Sequence, residues 1–253
     1  LEGRTSGKRL GMTPNGSKVT VLTWLKNEEH IIPFFLRHYA FADEIIVWDN
    51  GSTDSSREIL ERHPKVTVHN WDTGGELRDD QLIEMKNFEY RKTGPGWKII
   101  VDIDEFIWHP DILNLFDLSD QKGITLLQTE GFDMVSRNVP TDDGHTLLTD
   151  IIQEGRPNPM YSKCCVLRED CLLELNCGGH SPKSVAGRVV VSDNKYLKLL
   201  HYRYLSLELV MEKARRINMS DFNRKYQVAL SQSSPEEMRK RWEEAWKGKI
   251  QVL

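Results

Sequence analysis

The stretch Trp97-Lys98-Ile99-Ile100-Val101-Asp102-Ile103-Asp104-Glu105-Phe106 limits the possible folds more than any other part of the chain. A mostly apolar, β-branched run passes directly into three closely packed carboxylates. The run reads as a strand covered on both faces, as in a parallel sheet flanked by helices. Unpaired carboxylates are costly to bury, so Asp102, Asp104 and Glu105 are expected where that strand emerges at its carboxyl end. In an open α/β sheet this edge is where ligands bind. Extended alternation would put Asp102 and Asp104 on one side and Ile103 on the other. Two convergent carboxylates there suit a hard divalent cation shared with a substrate phosphate. The plain alternative is a salt-bridged loop after a core strand.

The preceding segments supply the rest of such a sheet. Lys18-Val-Thr-Val-Leu-Thr-Trp24 alternates and reads as the first strand. Lys26-Asn-Glu-Glu29 follows, with Asn27 as a helix N-cap and two acids at the helix's positive end. Ile31, Ile32, Phe35, Leu36 and Tyr39 recur at helical spacing, with Pro33 in an early turn. Glu44-Ile-Ile-Val-Trp48 is a second buried strand, ending in the turn sequence Asp49-Asn-Gly-Ser-Thr-Asp54. Thr53 or Asp54 would cap a helix running to Leu60. Lys65-Val-Thr-Val-His69 is a third strand, and Asp72-Thr-Gly-Gly75 its loop. A charged amphipathic helix is predicted over 76–92, with Leu77, Met85 and Phe88 inward, before Gly94-Pro-Gly96 breaks it. Strands alternating with helices through short loops call for a mainly parallel sheet with right-handed crossovers.

The second half changes character. Gly123-Ile-Thr-Leu-Leu-Gln-Thr129 reads as a strand running into Glu130-Gly-Phe-Asp133, and 138–158 as a long irregular segment with one short apolar run. Segments that long are often functional. Further strands are predicted over 160–167, 184–191 and 196–200. Ser206 opens a helix whose Glu208 and whose Lys213, Arg215 and Arg216 suit its two ends. A last helix starts at Ser234-Pro-Glu-Glu237, with Met238, Trp242, Ala245 and Trp246 on one face. Beside Arg239, Lys240 and Arg241, that indole stripe either packs on its own domain or touches a membrane surface.

Length and charge set outer bounds. The chain has 253 residues and a formal charge of −4. That balance argues against nucleic acid as a partner. No apolar run reaches the roughly 18 residues of a spanning helix. Residues 1–17 are polar and read as a peripheral linker, with Leu1-Glu-Gly-Arg as a cloning remnant and a native start near Met12. Cys164, Cys165, Cys171 and Cys177 lack the paired spacing of structural zinc and read as reduced thiols, which points to a cytoplasmic protein, with the tail as a route to peripheral contact on the inner face of the membrane.

Neither a dinucleotide nor a P-loop glycine fingerprint is present, which leaves a phosphate-bearing ligand met by a metal. Taken together, Trp24-Leu-Lys-Asn-Glu-Glu29, Asp49-Asn-Gly-Ser-Thr-Asp54 and Trp97-x4-Asp102-Ile-Asp-Glu-Phe106 resemble the family 2 type of nucleotide-sugar glycosyltransferases. The likeness is to a bacterial branch with K-N-E, D-N-G-S-T-D and D-x-D-E-F signatures. Lys163, Gly178-Gly-His180 and His201-Tyr202 resemble that branch's later landmarks, and the likeness covers 18–226.

The resemblance implies a GT-A fold in the α/β class: a mainly parallel, Rossmann-like central sheet flanked by helices, with a mixed second half and a helical C-terminal tail. Residues 18–106 would form the nucleotide-binding half, 107–205 the acceptor half and 227–253 the tail. It implies transfer of a sugar from a UDP-sugar donor to a hydroxyl of a glycan or glycolipid, with inversion and with Mn²⁺ or Mg²⁺. Thr23 and Trp24 would line the base pocket, Glu28 would lie near the ribose, and Asp49 would hydrogen-bond the base. Asp102 would contact ribose and metal, Asp104 would be the main metal ligand, and His201 would complete the metal or diphosphate site. His180 would meet acceptor or phosphate, with Gly178 and Gly179 letting the backbone come close. Asp133, then Glu130, then Asp170 are candidates for the base that takes the acceptor proton.

Rival readings stand beside these. Glu28 is also a helix-terminus acid, Asp49 a turn former and His201 a core histidine. Lys213, Arg215, Arg216 and Arg224 form either a phosphate clamp or a solvated helix end. At the level of function the rivals are a nucleotidyltransferase, disfavoured by the lack of glycine in the first loop, and a silent carbohydrate-binding protein on the same fold.

Overall fold

The computed structural model describes residues 16–253. Residues 1–15, most of the stretch predicted as a linker, lie outside the described residues. The first half runs β1 (Val19–Leu25), α1 (Ile32–His38), β2 (Glu44–Asp49), α2 (Ser56–Glu61), β3 (Val66–Asn70), α3 (Asp79–Phe88) and β4 (Trp97–Ile100). Next come β5 (Glu105–Trp108), α4 (Ile112–Gln121), β6 (Leu126–Val135), α5 (Leu148–Ile151), β7 (Glu154–Pro157), β8 (Cys164–Arg168), β9 (Cys171–Leu175) and β10 (Pro182–Gly187). The chain closes with β11 (Val191–Tyr204), α6 (Leu207–Arg216), α7 (Asp221–Lys225), α8 (Pro235–Lys247) and β12 (Ile250–Gln251).

The main sheet has the order β12-β7-β6-β8-β4-β1-β2-β3, and β11 pairs with β5 and β6. Strands β3, β2, β1 and β4 are parallel neighbours, as the buried β-branched runs required. The second half is mixed: β8 lies antiparallel between β4 and β6, and β11 runs parallel to β6 and antiparallel to β5. The carboxyl ends of β1, β2, β3, β4, β6 and β11 therefore face one edge. The loops 26–31, 50–55, 71–78 and 101–104 all open there.

Alternation in β1 divides the core. Val19, Val21 and Leu25 pack with Ile31, Phe35 and Phe106, whereas Leu22 and Trp24 face Met85, Tyr90 and Leu173. Side chains of the helical layer complete the sheet where strands do not. Tyr39 Oη accepts from the Ile107 N–H at 2.8 Å and donates to the Glu105 carbonyl at 3.0 Å, tying α1 to β5. Tyr90 and Asn87 do the same for Leu173 and Leu175, so the edge of β9 away from β10 is satisfied without a neighbouring strand.

Several local expectations change. Asn27 is not an N-cap: it has φ +55°, and its side-chain oxygen accepts from the Thr53 N–H at 2.7 Å. Helix α1 begins only at Ile32, with Pro33 in its first turn. The helix predicted over 76–92 is α3 plus a 3-10 turn at Glu89–Lys92, and Phe88 is exposed rather than inward. Segment 138–158 holds α5 and β7. The strands predicted over 184–191 and 196–200 are redistributed: β10 ends at Gly187, and a single long β11 starts at Val191 with a register shift between Asp193 and Lys198. No disulfide joins the four cysteines.

The tail helix α8 packs through Met238 and Ala245 on Val135, Tyr204, Val210 and Ala214, with Trp242 and Trp246 against that cluster. Trp242 Nε1 donates to the Ser136 carbonyl at 3.3 Å, and the two indoles stack at 5.6 Å. The chain then returns to the sheet as β12, which pairs with β7. Among the described residues no helix is long and apolar enough to cross a membrane.

The Tyr39 link is testable. Tyr39→Phe leaves a buried N–H and a buried carbonyl without their partner. It is expected to lower unfolding free energy by about 1–3 kcal/mol in urea titration, with little change in far-UV circular dichroism.

Candidate functional site

At the open edge, the turn after β4 carries Asp102 and Asp104 into a setting fixed from three sides. Glu105, the first residue of β5, has no exposed surface, and Lys163 is 4% exposed. Lys163 Nζ lies 2.7 Å and 3.0 Å from the two Glu105 carboxylate oxygens. Glu105 Oε2 also accepts from the Asp102 N–H at 2.9 Å. The Asp104 carbonyl accepts from the Tyr202 N–H at 2.7 Å, which anchors the turn to β11 beside His201. Burial alone would lower the Lys163 pKa, but Glu105 and Asp102 outweigh it and hold the ammonium charged.

Register does the rest. His201 pairs with Glu105 on one side and with Asp133 on the other, so the three form one row across β5, β11 and β6. His201 Nδ1 lies 2.8 Å from Asp133 Oδ1, and Asp133 Oδ2 accepts from Asn158 Nδ2 at 2.7 Å. His201 Nε2 faces Asp104 Oδ2 at 3.8 Å. The Tyr161 ring stacks on the imidazole at 4.0 Å. Glycine is required at 131 for this: a Cβ there would lie 2.3 Å from the Tyr161 carbonyl carbon, so no other residue lets the Pro159–Tyr161 turn cross β6 so closely. Burial lowers the His201 pKa, yet the Asp104 and Asp133 carboxylates outweigh it and the net shift is upward.

Asp102 is turned elsewhere. Its Oδ1 is shut from solvent 3.0 Å from Lys86 Nζ, outside hydrogen-bond alignment. Lys86 in turn lies 4.1 Å above the Trp24 ring. Burial would raise the Asp102 pKa, but Lys86 and Lys163 overcome it and hold the carboxyl below its usual range. Gly179, at φ +73°, keeps Lys86 in place: a Cβ there would meet Lys86 Nζ at 3.1 Å. Glu28 is ion-paired with Lys213 at 2.6 Å. Burial nonetheless raises its pKa, and the Asp104 charge adds to the rise.

The predicted site residues divide accordingly. Asp102, Asp104, Glu28, His201 and Trp24 meet at the edge. Thr23 does not join them: it is fully buried on the opposite face of β1 from Trp24, with its hydroxyl unpartnered. Asp49 is buried in the role of turn former, its Oδ1 accepting from the Ser52 N–H at 3.0 Å and its Oδ2 3.7 Å from Arg57. His180 contacts the Met160 carbonyl at 3.2 Å and the edge of Tyr161. Burial and Lys163 push its pKa down to about 4. Asp170 is misplaced as a base: it lies in the turn after β8, level with the start of β4 at the far edge, and is paired with Arg188 at 2.9 Å. Asp133 lies beside His201, but both of its oxygens are already engaged, by His201 and Asn158. Glu130 is misplaced as a base as well: it is exposed in β6 in register with Lys198, three residues from Asp133 and so on the opposite face of the sheet from His201. Lys86, Asn158 and Tyr161 were not anticipated. Lys86 is one more charge in a charged helix, and nothing local marks it as inward.

Metal chemistry can be tested against these donors. Among the described residues no group of three or more His, Cys, Asp or Glu side chains is set to hold an ion, so Asp102, Asp104 and His201 do not form the expected trio. Asp104 and His201 fit as a pair. Their 3.8 Å separation is too long for a hydrogen bond. It is the order of spacing spanned by one cation bonded at about 2.1 Å to each. Mg²⁺-like ions commonly take only one or two protein ligands and complete their shell with water and substrate phosphate.

No family model matches the chain, and no curated protein matches it. Solved structures of similar fold include Staphylococcus aureus TarS 1-349, at 16% identity, covering 86% of this chain and 70% of that one with a TM-score of 0.47. The same protein in complex with UDP-GlcNAc matches at 15% identity, 89% and 78% coverage, and a TM-score of 0.48. Mycobacterium tuberculosis glucosyl-3-phosphoglycerate synthase, in complex with Mn²⁺, UDP and glucosyl-3-phosphoglycerate, matches at 19% identity and a TM-score of 0.33. That match covers 48% of this chain and 46% of the synthase.

Removing one partner of the buried pair exposes its cost. Lys163→Met is expected to lower unfolding free energy by about 3–5 kcal/mol, because it strands the Glu105 carboxylate. Glu105→Leu with Lys163→Met should recover much of that in a double-mutant cycle.

Proposed function

We propose that the protein is a metal-dependent glycosyltransferase of the GT-A type. It takes a sugar from a nucleoside diphosphate donor, a UDP-sugar, to a hydroxyl of a glycan or glycolipid, with inversion. One observation carries the reading: Asp104 and His201 face each other at 3.8 Å on the ligand-binding edge of a parallel sheet. The acceptor class and the stereochemistry rest on the motif resemblance.

Each residue at the edge has a part in such a reaction. Asp104 and His201 would hold Mn²⁺ or Mg²⁺, which when bound offsets charge on the departing diphosphate. Lys86, between Asp102 and the Trp24 ring, is a preplaced cation beside that diphosphate. Trp24, 7% exposed, gives the floor an apolar face. Lys213 holds Glu28 at the rim near Asp104. The acceptor hydroxyl needs a carboxylate to take its proton. Asp133 is bound at both oxygens, Asp170 lies at the far edge, and Glu130 points to the opposite face of β6 from His201, so none of the three is assigned that role.

Two experiments test the reading. UDP with Mn²⁺ should raise the melting temperature of the wild-type protein by mass action, and Asp104→Ala should remove the metal-dependent part. No response of the wild type to any nucleoside diphosphate with Mn²⁺ would sink the assignment. Glu130→Gln should leave turnover and UDP and Mn²⁺ binding unchanged, because residue 130 faces away from His201. A large loss of turnover with binding intact would contradict that placement and bring Glu130 into the mechanism.

A further inference from the structure

A chain of contacts, with His201 and Asp133 buried, runs across the sheet from the candidate metal pair. Asn158 Nδ2 donates to Asp133 Oδ2 at 2.7 Å, Asp133 Oδ1 faces His201 Nδ1 at 2.8 Å, and His201 Nε2 faces Asp104. Asp133 is 7% exposed and His201 3%. Both Asp133 oxygens accept, so the hydrogen in the shorter contact belongs to His201 Nδ1. The Nε2 lone pair of a neutral ring is then directed at Asp104. Asn158 is itself fixed, because its Oδ1 accepts from the Met160 N–H at 3.1 Å. Tyr161, on the same short turn, stacks on the ring and stops it rotating.

We propose that Asp133 is a positioning residue for a metal-binding His201. With Asn158 behind it, it selects the Nδ1–H tautomer and the ring orientation that present Nε2 to the cation. The proposal rests on the donor-site reading above. Outer partners of this kind are general: a ligating imidazole donates its other N–H to a carboxylate, and losing that partner weakens metal binding about 10–100-fold.

The hydrogen-bond inventory gives a test that separates this role from proton abstraction. In Asp133→Asn the new carboxamide offers one acceptor to two donors, His201 Nδ1–H and Asn158 Nδ2–H. Adding Asn158→Asp supplies an acceptor for the new amide N–H, and the new carboxylate keeps an oxygen for the Met160 N–H. The readout is Mn²⁺ affinity in the presence of UDP, titrated by electron paramagnetic resonance, with thermal unfolding of the metal-free protein as a folding control. Asp133→Asn is expected to weaken Mn²⁺ by about tenfold or more. The double variant should regain most of that affinity. Asn158→Ala, which leaves the carboxylate in place, should show a smaller loss and serves if Asp133→Asn does not fold.

Other results overturn the proposal. Unchanged Mn²⁺ affinity in Asp133→Asn with lost turnover would make Asp133 the proton acceptor. A double variant no better than the single one would mean that the network does not orient the ring. Wild-type protein that binds no Mn²⁺ would overturn the donor-site reading itself, and this role with it.

Discussion

Glu105 is a carboxylate with no exposed surface, held by Lys163, which is almost as deeply buried. Desolvating two such ions costs several kcal/mol each, and mutual attraction repays it only when the remaining lone pairs are used as well. Here they are. Lys163 spans both carboxylate oxygens, and one of them also takes the Asp102 N–H. The Glu105 carbonyl accepts from Tyr39, and the Asp104 carbonyl from the Tyr202 N–H. The turn from 102 to 104 is thereby held at both ends and at its back. What it presents at the sheet edge is set by the interior behind it.

The charges around that turn are arranged in opposed pairs. Asp102 has Lys86, Glu28 has Lys213 and Glu105 has Lys163. Asp133 has His201 and Asn158. Asp104 meets His201 only across 3.8 Å. A half-buried acid held at that distance from an imidazole is a poor stabiliser of the fold, since the contact is too long for a hydrogen bond. It is a reasonable way to keep two donors apart for a cation. The pairing also accounts for Asp102 standing apart from Asp104 and His201, because Lys86 draws it away.

What could be read from the sequence followed local signals. The runs at β1, β2 and β4 were legible because β-branched residues under helices leave few other readings, and the turn chemistry after Asp49 located the loops. Failures came where partners are distant in the chain. Asp133 reads as a proton acceptor because its place near the sheet edge is local information, whereas its contact with His201 spans 68 residues. Asn27 has an N-cap's composition, but serves the Thr53 loop instead. The register shift between Asp193 and Lys198 interrupts the pairing of β11, so 191–204 does not read as one continuous strand. Lys86 carried no local mark, since a charged helix does not reveal which charge turns inward.

The central claim is that Asp104 and His201 hold one divalent cation with the donor diphosphate. It is tested most directly by pulsed electron paramagnetic resonance on protein with ¹⁵N-labelled histidine, loaded with UDP and Mn²⁺. A directly bound imidazole nitrogen couples to the manganese electron spin. Wild-type protein should show a ¹⁵N coupling that disappears in His201→Ala, and Asp104→Ala should no longer hold Mn²⁺. Manganese bound with UDP but showing no histidine nitrogen coupling would contradict it.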